Sequence, residues 1–375
     1  VRILVVGGGI LGTAHAWQAV RRGHTVLHLE REPQARGASV RNFGLVWVSG
    51  RAAWELQAAL RSRALWEELG ADVPGVGFRA CGSLTVLRTE AELAVVKEAL
   101  ARPDAAERGF ALLEPGEARA CNPELRGEFR AALWCERDGA VESRVALPAI
   151  RAHLAASGRY SFVGGLQVLD ATTSSAGVEL VDGAGERHAG DVAILCPGAE
   201  LHGLAQRVAG PLPVRPVRLQ MAETAPLGSP LPTALADADS LRYYPAFAGP
   251  ALERLRAEQP QADVASAHRM QLLCVQRLDG GLTIGDTHAY TEPFDFMVDE
   301  APYAHLTGVL AGLLGRPAPP LVRRWAGVYA ETTTPGELVH RATPDPLLWL
   351  VTGPGGRGMT LGPALAEKTA ELIGL

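Results

Sequence analysis

Short unbroken apolar runs mark the two ends and the middle of this chain. They are Val1 to Val6, interrupted only by Arg2, then Thr25 to Leu29, Asp191 to Cys196 and Leu347 to Val351. Runs of this length without alternation predict strands covered on both faces, as in a parallel sheet. Helical spacing predicts Ala14 to Arg22 and a longer helix, Ala53 to Leu69, carrying Trp54, Leu56, Leu60, Leu65 and Leu69. Further helices are expected at Glu90 to Leu100, Pro115 to Asn122, Arg144 to Ala156, Pro302 to Leu314 and Pro363 to Ile373. Phe78 to Leu87 reads as a strand, with Gly82 marking a bulge or a close approach. Leu133 to Val141 holds a strand and a turn, and Phe162 to Leu169 with Gly177 to Leu180 alternates like antiparallel strands. A second strand-rich region covers Pro211 to Met221, Leu241 to Tyr244, Met270 to Gln276 and Leu282 to Gly285.

These elements predict an α/β chain, α+β overall, in which two domains interleave. A Rossmann-like domain takes residues 1–80, 143–210 and 325–375, and a smaller antiparallel-sheet domain takes 81–142 and 211–324. No repeat or low-complexity linker interrupts them.

Chemistry first appears between the first two strands. Gly7-x-Gly9-x-x-Gly12 follows the opening run, and Glu30 closes the second. Gly7 makes a tight turn, Gly9 lets backbone approach a pyrophosphate, and Gly12 lets the helix pack on the strand. The helix start at Ile10 and Leu11 offers free N–H groups and a positive dipole end. Glu30 stands where ribose hydroxyls need an acceptor. A dinucleotide is therefore expected here.

Composition narrows the class. The chain is 47% hydrophobic and 21% charged with net charge −5, which gives no support to a nucleic-acid partner. Of 36 Lys and Arg residues only Lys97 and Lys368 are lysine, so a mechanism that needs an active-site lysine has almost no candidates. The five cysteines, Cys81, Cys121, Cys135, Cys196 and Cys274, are scattered and odd in number. That spacing argues against disulfides and zinc and leads us to expect a reducing, cytoplasmic setting. The first twenty residues are apolar enough to resemble a signal peptide, but they lack a basic start beyond Arg2. No stretch reaches the roughly 18 uninterrupted apolar residues of a membrane span.

An ordered set of motifs along nearly the whole chain resembles the glycine oxidase, sarcosine oxidase and D-amino-acid oxidase family of flavoproteins. The set comprises the opening glycine turn, Arg36-Gly37-Ala38-Ser39, Gly82-Ser83-Leu84, Asp191 to Ala199 and Pro216-Val217-Arg218-Leu219-Gln220. It ends in the glycine loop Gly353-Pro354-Gly355-Gly356-Arg357-Gly358 followed by Met359-Thr360. Arg41-Asn42-Phe43-Gly44 and Gly285-Asp286-Thr287-His288 are most similar to a subgroup associated with phosphonate degradation. The family implies FAD. A second glycine loop more than 300 residues after the first supports FAD over NAD independently, because an isoalloxazine lies far from its adenine and needs its own cradle. N–H groups before the last helix suit negative charge developing on a reduced flavin.

The resemblance implies a set of contacts. Gly7, Gly9, Ile10, Leu11, Gly12, Glu30, Arg31, Val168, Pro197 and Gly198 belong to the nucleotide end. Ala38, Ser39, Asn42, Phe43 and Gly44 flank the pyrophosphate and flavin, and Gly353, Gly355, Gly356, Gly358, Met359 and Thr360 cradle the flavin. Trp47 and Trp54 are aromatic enough to wall a flavin, though a core role is the stronger expectation. In this family the flavin takes a hydride from the carbon bearing an amine, and water hydrolyses the resulting imine.

Three departures shape the expected substrate. Tyr329, in Trp325 to Ala330, stands where amino-acid oxidases of the family place a carboxylate-clamping arginine. No cysteine lies near Gly327, so FAD is expected to be non-covalent. Thr283 stands where such oxidases carry an oxygen-activating lysine, which leaves oxygen or another electron acceptor open. Together these favour a small primary or N-methylated amine with an anionic tail, such as 2-aminoethylphosphonate, over glycine, sarcosine or a D-amino acid. An FAD-binding subunit with little activity alone is a further alternative. Arg41, Arg242 and Arg357 are the candidate anion anchors, Tyr243 and Tyr244 further substrate contacts, and His288 and Tyr329 the candidate catalytic residues.

Overall fold

The computed structural model describes residues 1–375. Its six-stranded sheet runs, edge to edge, through His340–Asp345, Leu348–Thr352, Val192–Leu195, Arg2–Val6, Thr25–Glu30 and Tyr160–Gly164. All neighbours are parallel except the first pair. The apolar runs are continuous because the opening strand has cores on both sides. Ile3 and Val5 face a core with Trp17, Trp66 and Leu361, whereas Leu4 faces another with Leu29, Leu180 and Leu350.

Helices Ile10–Arg21 and Leu56–Asp72 both pack on the last helix, Gly358–Ile373, so the two ends of the chain share one layer. A small antiparallel sheet, Val168–Ser174, Gly177–Asp182 and Arg187–Gly190, covers the other face.

The second large sheet has eight strands. Their order is Leu321–Thr332, Val214–Thr224, Leu282–Gly285, Leu273–Gln276, Ala234–Ala236, Ser83–Leu87, Ala131–Cys135 and Phe110–Leu113. The long Val214–Thr224 and Leu321–Thr332 strands pair antiparallel, with Val217 opposite Tyr329 and Leu219 opposite Gly327. The Leu321–Thr332 strand runs unbroken through position 325, where the sequence suggests that the last Rossmann-like segment begins.

Several local expectations change. Tyr160–Gly164 pairs parallel with Thr25–Glu30 instead of joining an antiparallel hairpin. Leu241 to Tyr244, expected as a strand, lies mostly in a short helix, Asp239–Tyr243. The final helix starts at Gly358, five residues earlier than expected, and therefore takes in the end of the glycine loop. Gly82 is a close approach: its φ is +61°, and a Cβ there would lie 2.1 Å from the Trp134 ring. No helix of the chain is long and apolar enough to cross a membrane.

Candidate active site

One cavity of about 1140 Å³ runs from the opening glycine turn, past the C-terminal glycine loop, to one face of the eight-stranded sheet. At its first end the turn is built as its residue types require. Gly7 has φ +109°, and a Cβ on it would sit 2.2 Å from the Cys196 carbonyl oxygen. A Cβ on Gly12 would sit 1.8 Å from the Gly7 oxygen, so helix and strand touch backbone to backbone. Under the turn, His28 binds the Gly7 oxygen at 2.9 Å and Tyr160 Oη at 2.8 Å. Burial pulls the His28 pKa down to about 4.

Helix Ile10–Arg21 carries no side-chain cap and no acidic residue in its first turn. Ser39 Oγ accepts the Ile10 N–H at 2.8 Å, which leaves the remaining start of the helix facing the cavity. The Glu30 carboxylate accepts N–H bonds from Gly8 and, at 2.8 Å, from Glu32, and both bonds hold its orientation. A helix start whose N–H groups beyond Ile10 stay open, beside an oriented carboxylate, suits a diphosphate joined to a ribose.

The C-terminal loop repeats the device. Helix Gly358–Ile373 also lacks a side-chain cap and acidic first-turn residues, and Gly355, Gly356, Gly358, Met359 and Thr360 line the cavity. Ala38, Asn42, Phe43, Val168, Pro197, Gly198, Arg31, Gly9 and Leu11 line it too. Two open helix starts on one elongated cavity fit a long two-ended cofactor such as FAD, which a single-ended nucleotide would not fill.

Three expected site residues lie outside. Gly44 (φ +75°) passes so near Val141, just beyond the Gly139–Ala140 strand, that a Cβ would meet its oxygen at 2.0 Å, and this contact seats the 42–44 loop. Gly353 fastens the second loop to the larger sheet, its oxygen accepting the Thr332 N–H at 2.9 Å. Arg242 turns away from the cavity to Asp239, at 3.0 Å, and to the Gln259 carbonyl.

The remaining predicted residues meet at the far end. Tyr243 stacks on His288 with ring centroids 4.5 Å apart, and Tyr290 stands beyond at 6.5 Å. His288 Nδ1 is 2.9 Å from the Arg269 oxygen, which assigns the proton to Nδ1, and Nε2 stands 3.6 Å from Asp286 Oδ2. Burial raises the Asp286 carboxyl, and the neighbouring His288 opposes that rise. Burial likewise holds the Tyr243 and Tyr329 phenols well above their usual range. Tyr329 Oη lies 3.7 Å from where a Gly356 Cβ would be, so it overhangs the second glycine loop.

Arg41 is exposed and donates to the Ala326 oxygen at 2.9 Å, while Arg357 is ion-paired with Glu55. Thr283 is buried outside the cavity, where its hydroxyl accepts the Arg277 Nε–H at 2.7 Å. Trp54 is 53% exposed and walls nothing, but Trp47 lines the cavity.

Tyr290 and Arg51 are lining residues outside every motif named above, and Asp286 lies inside one of them without an assigned role. Asp286 and Tyr290 flank His288 on an extended segment. Arg51 follows Phe43 to Gly50, a stretch buried throughout, and only that burial sets it apart from the other arginines.

Comparison with known proteins agrees with this architecture. A 154-residue segment is 30% identical to one subunit of the opine oxidase of Rhizobium meliloti, spanning 37% of this chain and 41% of the relative. A 229-residue segment is 28% identical to the glycine oxidase of Geobacillus kaustophilus, spanning 58% of this chain and 59% of the relative. The alignments thus span about half the length of these relatives. The crystal structure of the Geobacillus kaustophilus glycine oxidase superposes with a TM-score of 0.77 at 22% identity, over 100% of this chain and 95% of that one. The family model described as FAD dependent oxidoreductase matches residues 2–372, and the chain belongs to that family, DAO.

Proposed function

We propose that the chain oxidises the C–N bond of a small amine bearing an anionic group. The observation that carries this reading is the far end of the cavity. Tyr243, Tyr244, Tyr290 and Trp47 make an aromatic wall, and Tyr329 stands over the loop that would hold the flavin ring. The glycine oxidase relative supports a small amino acid such as glycine ahead of an aminophosphonate.

FAD, when bound, supplies the acceptor for a hydride from the carbon bearing the amine. The protein's part is positioning and dryness. Its aromatic walls exclude water, and phenols held uncharged by burial donate hydrogen bonds without adding negative charge. His288, with its proton on Nδ1 and Nε2 toward Asp286, forms with that carboxyl the pair placed to take a proton from an ammonium.

The test is spectroscopic. Purified protein should carry flavin absorbance that acid releases. Under anaerobic conditions glycine, sarcosine, D-alanine, 2-aminoethylphosphonate and its N-methyl form are compared for bleaching. Bleaching by none of them, or a protein unable to bind FAD, would sink the proposal. Faster bleaching by the phosphonates than by glycine would move the substrate to the phosphonate class.

A second reading, an FAD-binding component of a larger complex, is favoured by the opine oxidase relative, itself a subunit. It predicts a flavin reduced by substrate yet not reoxidised by oxygen or an artificial acceptor at a useful rate.

A further inference from the structure

Arg51 is the anomaly in the cavity wall. Its side chain is buried, with the residue 6% exposed, yet no carboxylate pairs with it and its Nε has no acceptor. The guanidinium lies over the Tyr244 ring, 5.5 Å from its centroid.

The carboxylates of the surrounding segments, Glu55, Asp138 and Asp286, are already committed, Asp286 accepting the Gln271 amide N–H at 2.9 Å beside His288. Glu55, four residues on, pairs with Arg357 and accepts the Ala52 N–H at 2.7 Å. Asp138 accepts the Val48 and Ser49 N–H groups at 2.6 and 2.9 Å and the Ser83 hydroxyl at 2.6 Å. The other candidate cations differ: Arg357 is neutralised by Glu55, and Arg41 is exposed.

A buried guanidinium without an anion is costly, and a fold tolerates it where an anion arrives from outside. We infer that Arg51 anchors the anionic group of the substrate, its planar fork taking two oxygens of a carboxylate or phosphonate while Tyr244 braces its face. Guanidinium geometry suits such pairs, and stacking on an aromatic ring removes rotamer freedom in advance. Arg51 thereby takes the role expected of the arginine that Tyr329 replaces. The inference rests on the anionic-amine reading above.

The experiment uses the FAD-loaded protein and three non-oxidisable probes: acetate, methylphosphonate and neutral acetamide. Binding is read from the flavin spectrum, alongside KM and kcat for any active amine. Wild type is expected to bind acetate or methylphosphonate and not acetamide, and the stronger anion reports the substrate's head group. Arg51→Gln should weaken anion binding and raise KM about tenfold to a hundredfold. FAD content and kcat should change far less, and Arg51→Lys should fall between.

Arg51→Gln binding the anions within threefold of wild type would overturn the inference. So would a change in flavin retention or potential with substrate affinity unchanged. If Arg51→Gln loses its cofactor, phenylglyoxal labelling of wild type, mapped by peptide mass, decides instead. Protection of Arg51 by acetate or methylphosphonate supports the anchor; labelling that ignores the anions, or no labelling of Arg51, overturns it. Arg51-dependent anion binding in a protein that oxidises no anionic amine would sink the proposed function and leave the anchor standing.

Discussion

At the scale of single residues, the site separates groups with committed partners from groups that face the cavity. Tyr329 has a buried phenol that overhangs the flavin loop, and burial raises its pKa well above the ordinary value. Its charge should therefore play no part near neutral pH, and its effect should come from one hydrogen bond. Tyr329→Phe is expected to lower kcat/KM roughly tenfold, with no limb of the pH–rate profile removed. A profile that loses a limb below pH 9 in the variant would contradict this. Glycine positions divide in the same way. On Gly9 an added Cβ meets only the movable Ser39 Oγ, at 2.9 Å, whereas on Gly12 it meets backbone at 1.8 Å. Gly9→Ala should fold and bind FAD roughly tenfold more weakly. Gly12→Ala should lose about 2–3 kcal/mol of stability, visible in a denaturant melt.

At the scale of elements, the opening strand–turn–helix depends on a neutral histidine. His28 on the second strand holds the Gly7 oxygen, and its folded pKa is depressed from 6.5 to about 4 by burial. Between those values the unfolded chain binds the proton that the native chain refuses. The sign follows: the neutral histidine's stabilisation is fully present above pH 6.5 and is lost as pH falls toward 4. The slope is at most about 1.4 kcal/mol per pH unit for the one group. We expect FAD release on acidification through that window, followed by fluorescence of the freed flavin. His28→Gln should show a shallower pH dependence. Equal slopes in both proteins would remove His28 as the cause.

At the scale of the whole molecule, the cavity lies between elements far apart in sequence, with walls from the first turn, the middle strand, the larger sheet and the last helix. Filling it with FAD should stabilise the native chain by mass action, about 2.7 kcal/mol at a hundredfold excess over Kd. For a chain of this size that is a rise in Tm of roughly 3–4 °C, set by FAD concentration. A Tm indifferent to FAD would mean that the cavity does not hold it.

Local chemistry determined what the sequence alone made legible. A tight turn with φ +109° at Gly7 requires glycine, and strands covered on both faces require unbroken apolar runs, so the parallel sheet and both glycine loops could be read directly. Side-chain direction was not legible. Arg242 and Arg51 are both arginines beside aromatic segments, yet one finds Asp239 nearby and the other finds every nearby carboxylate committed. Gly44 and Gly353 follow the right motif, yet their neighbours Val141 and Thr332 hold them behind the wall. Which charge stays unpaired depends on what long-range packing brings beside it. The cofactor could therefore be inferred from the sequence, whereas the residue that faces the substrate's anion emerged only from the tertiary structure.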